Sequence, residues 1–129
     1  MTKEIRMTKT QYREWLKKLQ WDIGNEIVTV LKRTCPVNGG RLKNSIKQRT
    51  EGKGVNIYMV DYALHVEYGT APHIIRPVNG KALKFKGSNG EDVFAKQVNH
   101  PGTRPQPFIR PMIINELPRI VEESVRRAL

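Results

Sequence analysis

His65, His73, His100, Cys35 and Glu67 are the side chains through which this chain can move a proton, attack an electrophile or hold a metal. Zinc sites draw His and Cys ligands from short, fixed spacings. None of the three histidines stands at such an interval from another His, a Cys or a carboxylate on one element. His73 and His100 adjoin Pro72 and Pro101 and read as turn residues. Cys35 follows Arg33, a cation able to depress a thiol pKa, and precedes Pro36. With no histidine near it in sequence to act as base, it reads as a small buried residue at a helix end. Glu67 is the one acid in a mostly apolar stretch, between Val66 and Tyr68. It suits a general base, and equally an acceptor for a backbone N–H or an arginine. Asn38-Gly39-Gly40 is too short for a phosphate cradle and follows no strand. These residues make no positive case for catalysis, and neither a metal nor a cofactor is expected.

Charge points elsewhere. Lys and Arg outnumber Asp and Glu by 23 to 12, for a net +11. A chain this basic is suited to nucleic acid, an acidic protein surface or an anionic membrane. Residues 1–53 carry net +8 and residues 54–129 net +3. Lys32–Lys53 holds seven basic residues against one acid, Glu51. Arg41, Lys43, Lys47 and Arg49 are its candidates for contact with DNA or an acidic partner. No aromatic interleaves with them, so a stacking platform for single strands is not expected. The first ten residues, MTKEIRMTKT, have no apolar run and do not read as a signal peptide. No stretch approaches the roughly 18 apolar residues of a membrane span. The chain is therefore expected to be made in a cytoplasm and to stay soluble. Its single cysteine excludes an intramolecular disulfide.

The elements that must position these groups follow from periodicity. At 129 residues the chain suits one domain, with residues 1–9 as a flexible tail. Tyr12, Trp15, Leu16, Leu19, Ile23, Ile27, Val30 and Leu31 recur at steps of three and four, which predicts a helix from about Thr10 to Thr34. Thr8 or Thr10 caps its start, and Cys35-Pro36 ends it. Trp21 and Val28 lie to one side of the stripe and read as core, with a subunit contact as the alternative. Asn38 is placed to cap a short helix bearing Leu42 and Ile46. Lys47–Thr50 and Val55–Val60 read as strands around Glu51-Gly52-Lys53-Gly54. Asp61–Thr70 reads as a short helix capped by Asp61 and ended by Gly69, with a strand as the alternative. Residues 71–107 are rich in Pro and Gly. Within them Ala82–Lys86 and Asp92–Val98 read as a hairpin, an arm whose Leu83, Phe85 and Phe94 are candidates for subunit or partner contact. Phe108 joins that candidate set. The last helix begins near Pro111 at its first position and should kink or restart at Pro118.

Three segments carry a resemblance. Thr34–Ile46 is similar to Thr-x-Pro-Val-Asp-Thr-Gly-x-Leu-x-x-Ser-Ile, with Pro36, Gly40, Leu42 and Ser45 at the matching positions. Tyr62–Thr70 is similar to Tyr-Ala-x-x-Val-Glu-aromatic-Gly-Thr, with Tyr62, Glu67 and Gly69 matching. His100–Thr103 with Pro107–Pro111 resembles the run before a C-terminal helix. In order and spacing they resemble the tail-component or head–tail joining family of long-tailed bacteriophages and prophages, small neck or tail-completion proteins of the virion. The likeness covers about residues 10 to 129. Asn38-Gly39 stands where that family usually has Asp-Thr, which keeps a capping side chain but loosens the turn.

The resemblance implies an α+β domain: a small antiparallel sheet packed by the long N-terminal helix and a C-terminal helix, with a protruding β-hairpin arm. It also implies a non-enzymatic virion part. Copies would form a homo-oligomeric ring, commonly sixfold, meeting other neck and tail proteins and surrounding DNA nonspecifically, with no membrane. The alternative is a basic, sequence-nonspecific nucleic-acid-binding protein, which leaves the arm unexplained. A small basic ribonuclease using His65 or His100 with Glu67 is a further rival, though these residues stand on separate elements.

Overall fold

Thr8 starts the longest element. Its hydroxyl accepts from the Gln11 backbone N–H at 3.1 Å, and the Gln11 side-chain oxygen accepts from the Thr8 N–H at 2.9 Å. This reciprocal pair satisfies donors that a helix start leaves open. In the computed structural model the helix, α1, runs over Lys9–Thr34, so it begins inside the tail expected over residues 1–9. Pro36 ends it as expected: Cys35 is extended, with φ −67° and ψ 146°, the region favoured before proline. Lys32 and Arg33 occupy the last turn, where positive charge meets the helix dipole favourably.

The structure describes residues 4–75, 83–86, 90–95 and 98–129, and the chain divides into two compact units. The first is Met1–Ala63 with Pro107–Leu129. After α1 it contains α2 (Arg41–Ser45), β1 (Lys47–Arg49) and β2 (Asn56–Tyr58). Its C-terminal part is α4 (Ile109–Pro111), a π-helical stretch over Met112–Glu116, and α5 (Leu117–Ala128). The label α3 belongs to Ala63–Tyr68, between β2 and the second unit's strands.

The strands β1 and β2 pair antiparallel, Lys47 with Tyr58 and Arg49 with Asn56. They are shorter than expected because the chain leaves the ladder at Thr50. There the Asn56 side-chain amide donates to the Glu51 carbonyl at 2.8 Å. The cap expected from Asn38 is also replaced. Gly40 holds the N-cap of α2 in the left-handed region, φ 79°, with no side-chain cap. Its carbonyl accepts from the Asn44 N–H at 2.9 Å. A glycine can turn the chain directly into the helix there, which leaves Asn38 too early to cap it.

The buried face of α1 is Leu19, Gly24, Ile27, Val30 and Leu31. With Leu42, Ile46, Phe108, Met112 and Ile120 it forms the apolar core of this unit. Burying each large aliphatic or phenyl side chain stabilises by roughly 1.5–3 kcal/mol. α1 packs on α2, β1, β2, the π-helical stretch and α5, so the fold is α+β, built on two terminal helices and a small antiparallel sheet. Gly24 permits the approach to β1: a Cβ there would lie 1.9 Å from Gln48 Oε1. The Gln48 amide donates to the Trp21 carbonyl at 2.9 Å and to Asn25 Oδ1 at 2.7 Å, latching strand to helix. Trp21 itself, read as core from the sequence, is 47% exposed. It lies at the edge of the contact between α1 and the hairpin, where Gln48 holds its carbonyl and its side chain stays open to solvent.

Pro118 perturbs the C-terminal helix as expected, but by widening it. The Leu117 N–H donates to the Met112 carbonyl, five residues back, and α5 then carries Pro118 in its first turn. A wider turn relieves the clash a proline ring makes with the carbonyl four residues before it. Pro111 is the last residue of α4 rather than a first helical position. The inserted residue shifts the phase of the stripe: Phe108, Met112, Ile120 and Ser124 are buried, while Ile113 and Ile114 are 48% and 72% exposed. The Trp15 indole N–H donates to the Ala128 carbonyl at 3.1 Å, tying α1 to the end of α5.

The second unit is Leu64–Gln106. Most of α3 lies in it, and the helix reading of this segment holds. It stops at Gly69, φ 74°, and the Val66 carbonyl accepts from the Gln106 N–H at 2.8 Å. Thr70 and Thr103 form an antiparallel bridge, with N···O distances of 3.1 and 3.0 Å. β3 (His73–Ile75) pairs with β6 (Val98–His100), and β4 (Leu83–Lys86) with β5 (Asp92–Ala95), all antiparallel. The strand expected over Asp92–Val98 is thus two. Val98 belongs to β6, opposite Ile75, so the stalk of the expected arm is itself a ladder. Among the described residues no helix is long and apolar enough to cross a membrane.

Candidate partner surface

The four cations singled out in the sequence sit on adjoining elements of the first unit. Arg41 and Lys43 lie on α2, Lys47 and Arg49 on β1, and all four are exposed. On β1 the period of two turns Gln48 toward α1, while Lys47 and Arg49 at the alternate positions are exposed. The arginines are stacked. The Arg41 guanidinium lies 5.4 Å from the Tyr62 ring centroid, and that of Arg49 lies 4.6 Å from the Tyr58 centroid. Arg49 also comes to 4.0 Å from the Glu51 carboxylate, and the Tyr58 hydroxyl donates to Glu51. That hydrogen bond, then burial, pushes the Tyr58 phenol up. Lys43 and Lys47 make no ion pair with described residues. The surface therefore combines two guanidinium groups lying over tyrosine rings with two ammonium groups that make no ion pair with described residues. This chemistry suits phosphate or carboxylate oxygens.

The motif residues act as scaffold. Pro36 stops α1, Gly40 starts α2, and Leu42 is buried. The Ser45 hydroxyl donates to the Leu42 carbonyl at 2.7 Å and accepts from the Val60 N–H at 3.0 Å. It joins the end of α2 to the chain leaving β2. Tyr62 carries the Arg41 guanidinium. Gly69 ends α3 where a Cβ would lie 2.6 Å from the Thr103 carbonyl and 2.8 Å from the Pro105 nitrogen. Glu67 is 1% exposed, a burial that carboxylates tolerate only with partners.

The expected contact residues separate. Phe108, taken as a partner contact, is among the fully buried side chains of the core. It precedes α4 at the point where the chain re-enters the first unit. Leu83, Phe85 and Phe94 lie on the β4–β5 ladder, and their side chains fall outside the described residues. The register sets Leu83 opposite Ala95 and Phe85 opposite Val93, whereas Phe94 faces Lys84. Phe94 therefore takes the alternate ladder position, not the one shared by Leu83 and Phe85. Lys84 and Asp92 form an ion pair at 3.4 Å.

Of the candidate chemical groups, Cys35 is buried, its thiol donating to the Lys32 carbonyl at 3.6 Å. His65 is exposed on α3. His73 and His100, far apart in sequence, are direct cross-strand partners in the β3–β6 ladder. Among the described residues no group of three or more His, Cys, Asp or Glu is placed to hold a metal ion.

One feature was not read from the sequence. A groove of ≈ 370 Å³ runs between α1 and the β1–β2 hairpin, lined by Lys17, Lys18, Trp21, Gln48, Arg49 and the loop glycines Gly52 and Gly54. The available signal was Trp21 lying off the apolar stripe. Its location beside the strands depends on a tertiary approach that periodicity does not encode. No family model, curated protein or solved structure matches the chain.

Proposed function

We propose that this chain is a non-enzymatic structural protein of the neck or tail terminus of a long-tailed phage. Copies assemble there into a ring, commonly sixfold, around the DNA path and against other neck and tail proteins. The observation that carries the reading is the order and spacing of the three motif segments, Thr34–Ile46, Tyr62–Thr70 and His100–Pro111. The α+β architecture is the one this resemblance implies. Further support comes from Ile113 and Ile114, an adjacent apolar pair left exposed on the C-terminal helix. Exposed apolar surface of this kind is what a subunit interface covers. The net charge of +11 suits a lining that meets DNA through phosphates alone.

Light scattering and electron microscopy of purified, untagged protein test the reading. The expected result is a closed ring. The double substitution Ile113→Asn with Ile114→Asn should give monomers of unchanged helix content. A parent chain that stays monomeric at high concentration and binds DNA tightly would replace this reading with the nucleic-acid-binding one. RNA cleavage on plain incubation would replace it with the nuclease.

A further inference from the structure

We propose that the groove between α1 and the β1–β2 hairpin binds single-stranded nucleic acid, with Trp21 stacking one base and Lys17 and Lys18 holding neighbouring phosphates. Trp21 is 47% exposed, although tryptophan is highly buried on average. Its backbone is held in place, since the Trp21 carbonyl accepts from the Gln48 amide. Lys17 and Lys18 precede it by four and three residues, which sets both ammonium groups one helical turn away on the same side. Neither makes an ion pair or hydrogen bond with a described residue. Among the described residues no Asp or Glu lines the groove; Glu51, between Thr50 and Gly52, has its carboxylate at the Tyr58 hydroxyl and Arg49. Across from the helix the wall includes Gly52 and Gly54, where an added Cβ would meet nothing within 4 Å. A ligand can therefore approach the backbone there closely.

Two cations with no ion pair to a described residue, an accessible indole and a wall with no acid among its described lining form the combination that single strands use: a groove for the backbone and an aromatic surface for a base. A duplex keeps its base faces stacked on one another and offers Trp21 nothing. An acidic peptide supplies carboxylates without a flat π-face beside each charge. The inference rests on α1 and the hairpin alone and does not need the ring.

The probe is oligothymidylate, added at low salt to the Trp15→Phe variant. Trp21 is then the only indole, because the chain has two tryptophans. Saturable quenching of its fluorescence is expected. In the otherwise unaltered chain, Trp21→Ala should weaken binding roughly 5- to 150-fold, the range of one lost base stack. Trp21→Phe should recover most of that loss. Lys17→Gln with Lys18→Gln should lower the slope of log affinity against log salt by about 1.4, for two phosphates of a single strand. Unchanged oligothymidylate affinity in Trp21→Ala would overturn the proposal. So would displacement of oligothymidylate from Trp21 by polyglutamate at equal charge, which would mark an acidic protein partner, or equal Trp21-dependent binding of duplex DNA. A parent chain that forms no ring yet binds oligothymidylate through Trp21 removes the ring reading and leaves this one standing.

Discussion

A methyl group at Gly69 would be placed in a left-handed backbone, φ 74°, and within 2.6 Å of the Thr103 carbonyl. The obstructing atoms are backbone, so no rotamer change relieves the contact. Gly69→Ala should destabilise by roughly 2–4 kcal/mol, the left-handed penalty plus the displaced bridge. The Thr70 and Thr103 amides, which pair with each other's carbonyls, should lose hydrogen-exchange protection. Retained protection at both would show that the glycine is not required. Glu116 pairs with Arg119 three residues on along the helix. The Arg119 guanidinium donates to it at 2.6 Å, and this hydrogen bond holds the carboxyl below the usual carboxylate range. A lowered pKa contributes stability that is present above the ordinary value, about 4.3, and is lost as pH falls through the lowered one. Arg119→Gln should raise the Glu116 titration midpoint in a carboxyl NMR titration, and added salt should narrow the difference because the pair is accessible to solvent.

At the scale of elements, α1 and β1 are joined through Gly24 and Gln48, and the two positions should be strongly coupled. A Cβ at residue 24 meets only the far end of the Gln48 side chain, which can swing away but gives up its bonds to the Trp21 carbonyl and Asn25. Each such bond is worth about 1 kcal/mol net, whereas Gly→Ala within a helix gains about 1 kcal/mol. Gly24→Ala should therefore destabilise by about 1 kcal/mol in the parent and stabilise by about 1 kcal/mol once Gln48→Ala has removed the obstruction. Urea denaturation of the four-member cycle measures the coupling, and strict additivity would contradict the latch. The same contact shows where sequence reading stops. The ends of α1 are legible because Thr8 and Pro36 act on the backbone next to them, and the short α3 because Gly69 does the same. The core face of α1 is legible from spacing at Leu19, Ile27, Val30 and Leu31, whereas Tyr12, on the same stripe near the helix start, is exposed. The π-helical phase shift that exposes Ile113 and Ile114 follows from how the chain accommodates Pro118, and proline alone announces only some disruption. The division of the expected second arm strand into β5 and β6, and the pairing of His73 with His100, are set by partners distant in the chain. For the candidate surface, composition identifies Arg41, Lys43, Lys47 and Arg49 as a cluster. It does not show that the arginines lie over Tyr62 and Tyr58 while the lysines make no ion pair with described residues.

For the whole molecule, that cluster belongs to a chain of net +11, and the proposed ring would repeat it around the DNA path. Contacts to phosphate alone make a quantitative claim. Each neutralised phosphate of a duplex adds about −0.9 to the slope of log affinity against log salt. Replacing Arg41, Lys43 and Lys47 with Gln should flatten that slope by up to about 2.7 per subunit, equally for any duplex sequence, because phosphates carry no base identity. Arg41 and Lys43 are on α2, Lys47 is on β1, and all three are exposed, so the fold should survive and its thermal midpoint should barely move. Lys32 and Arg33 are poorer probes, since their charge also favours the C-terminal end of α1. Fluorescence anisotropy with two unrelated labelled duplexes across a salt series reads the slope, and electron microscopy of the same variant reads ring formation. The flattening should be the same for both duplexes and accompanied by normal rings, because the apolar pair Ile113 and Ile114 is untouched. A slope lost for one duplex only would mean base readout, contrary to a phosphate surface. Affinity equal to the parent at every salt concentration would leave these cations as solvated surface that keeps the protein soluble.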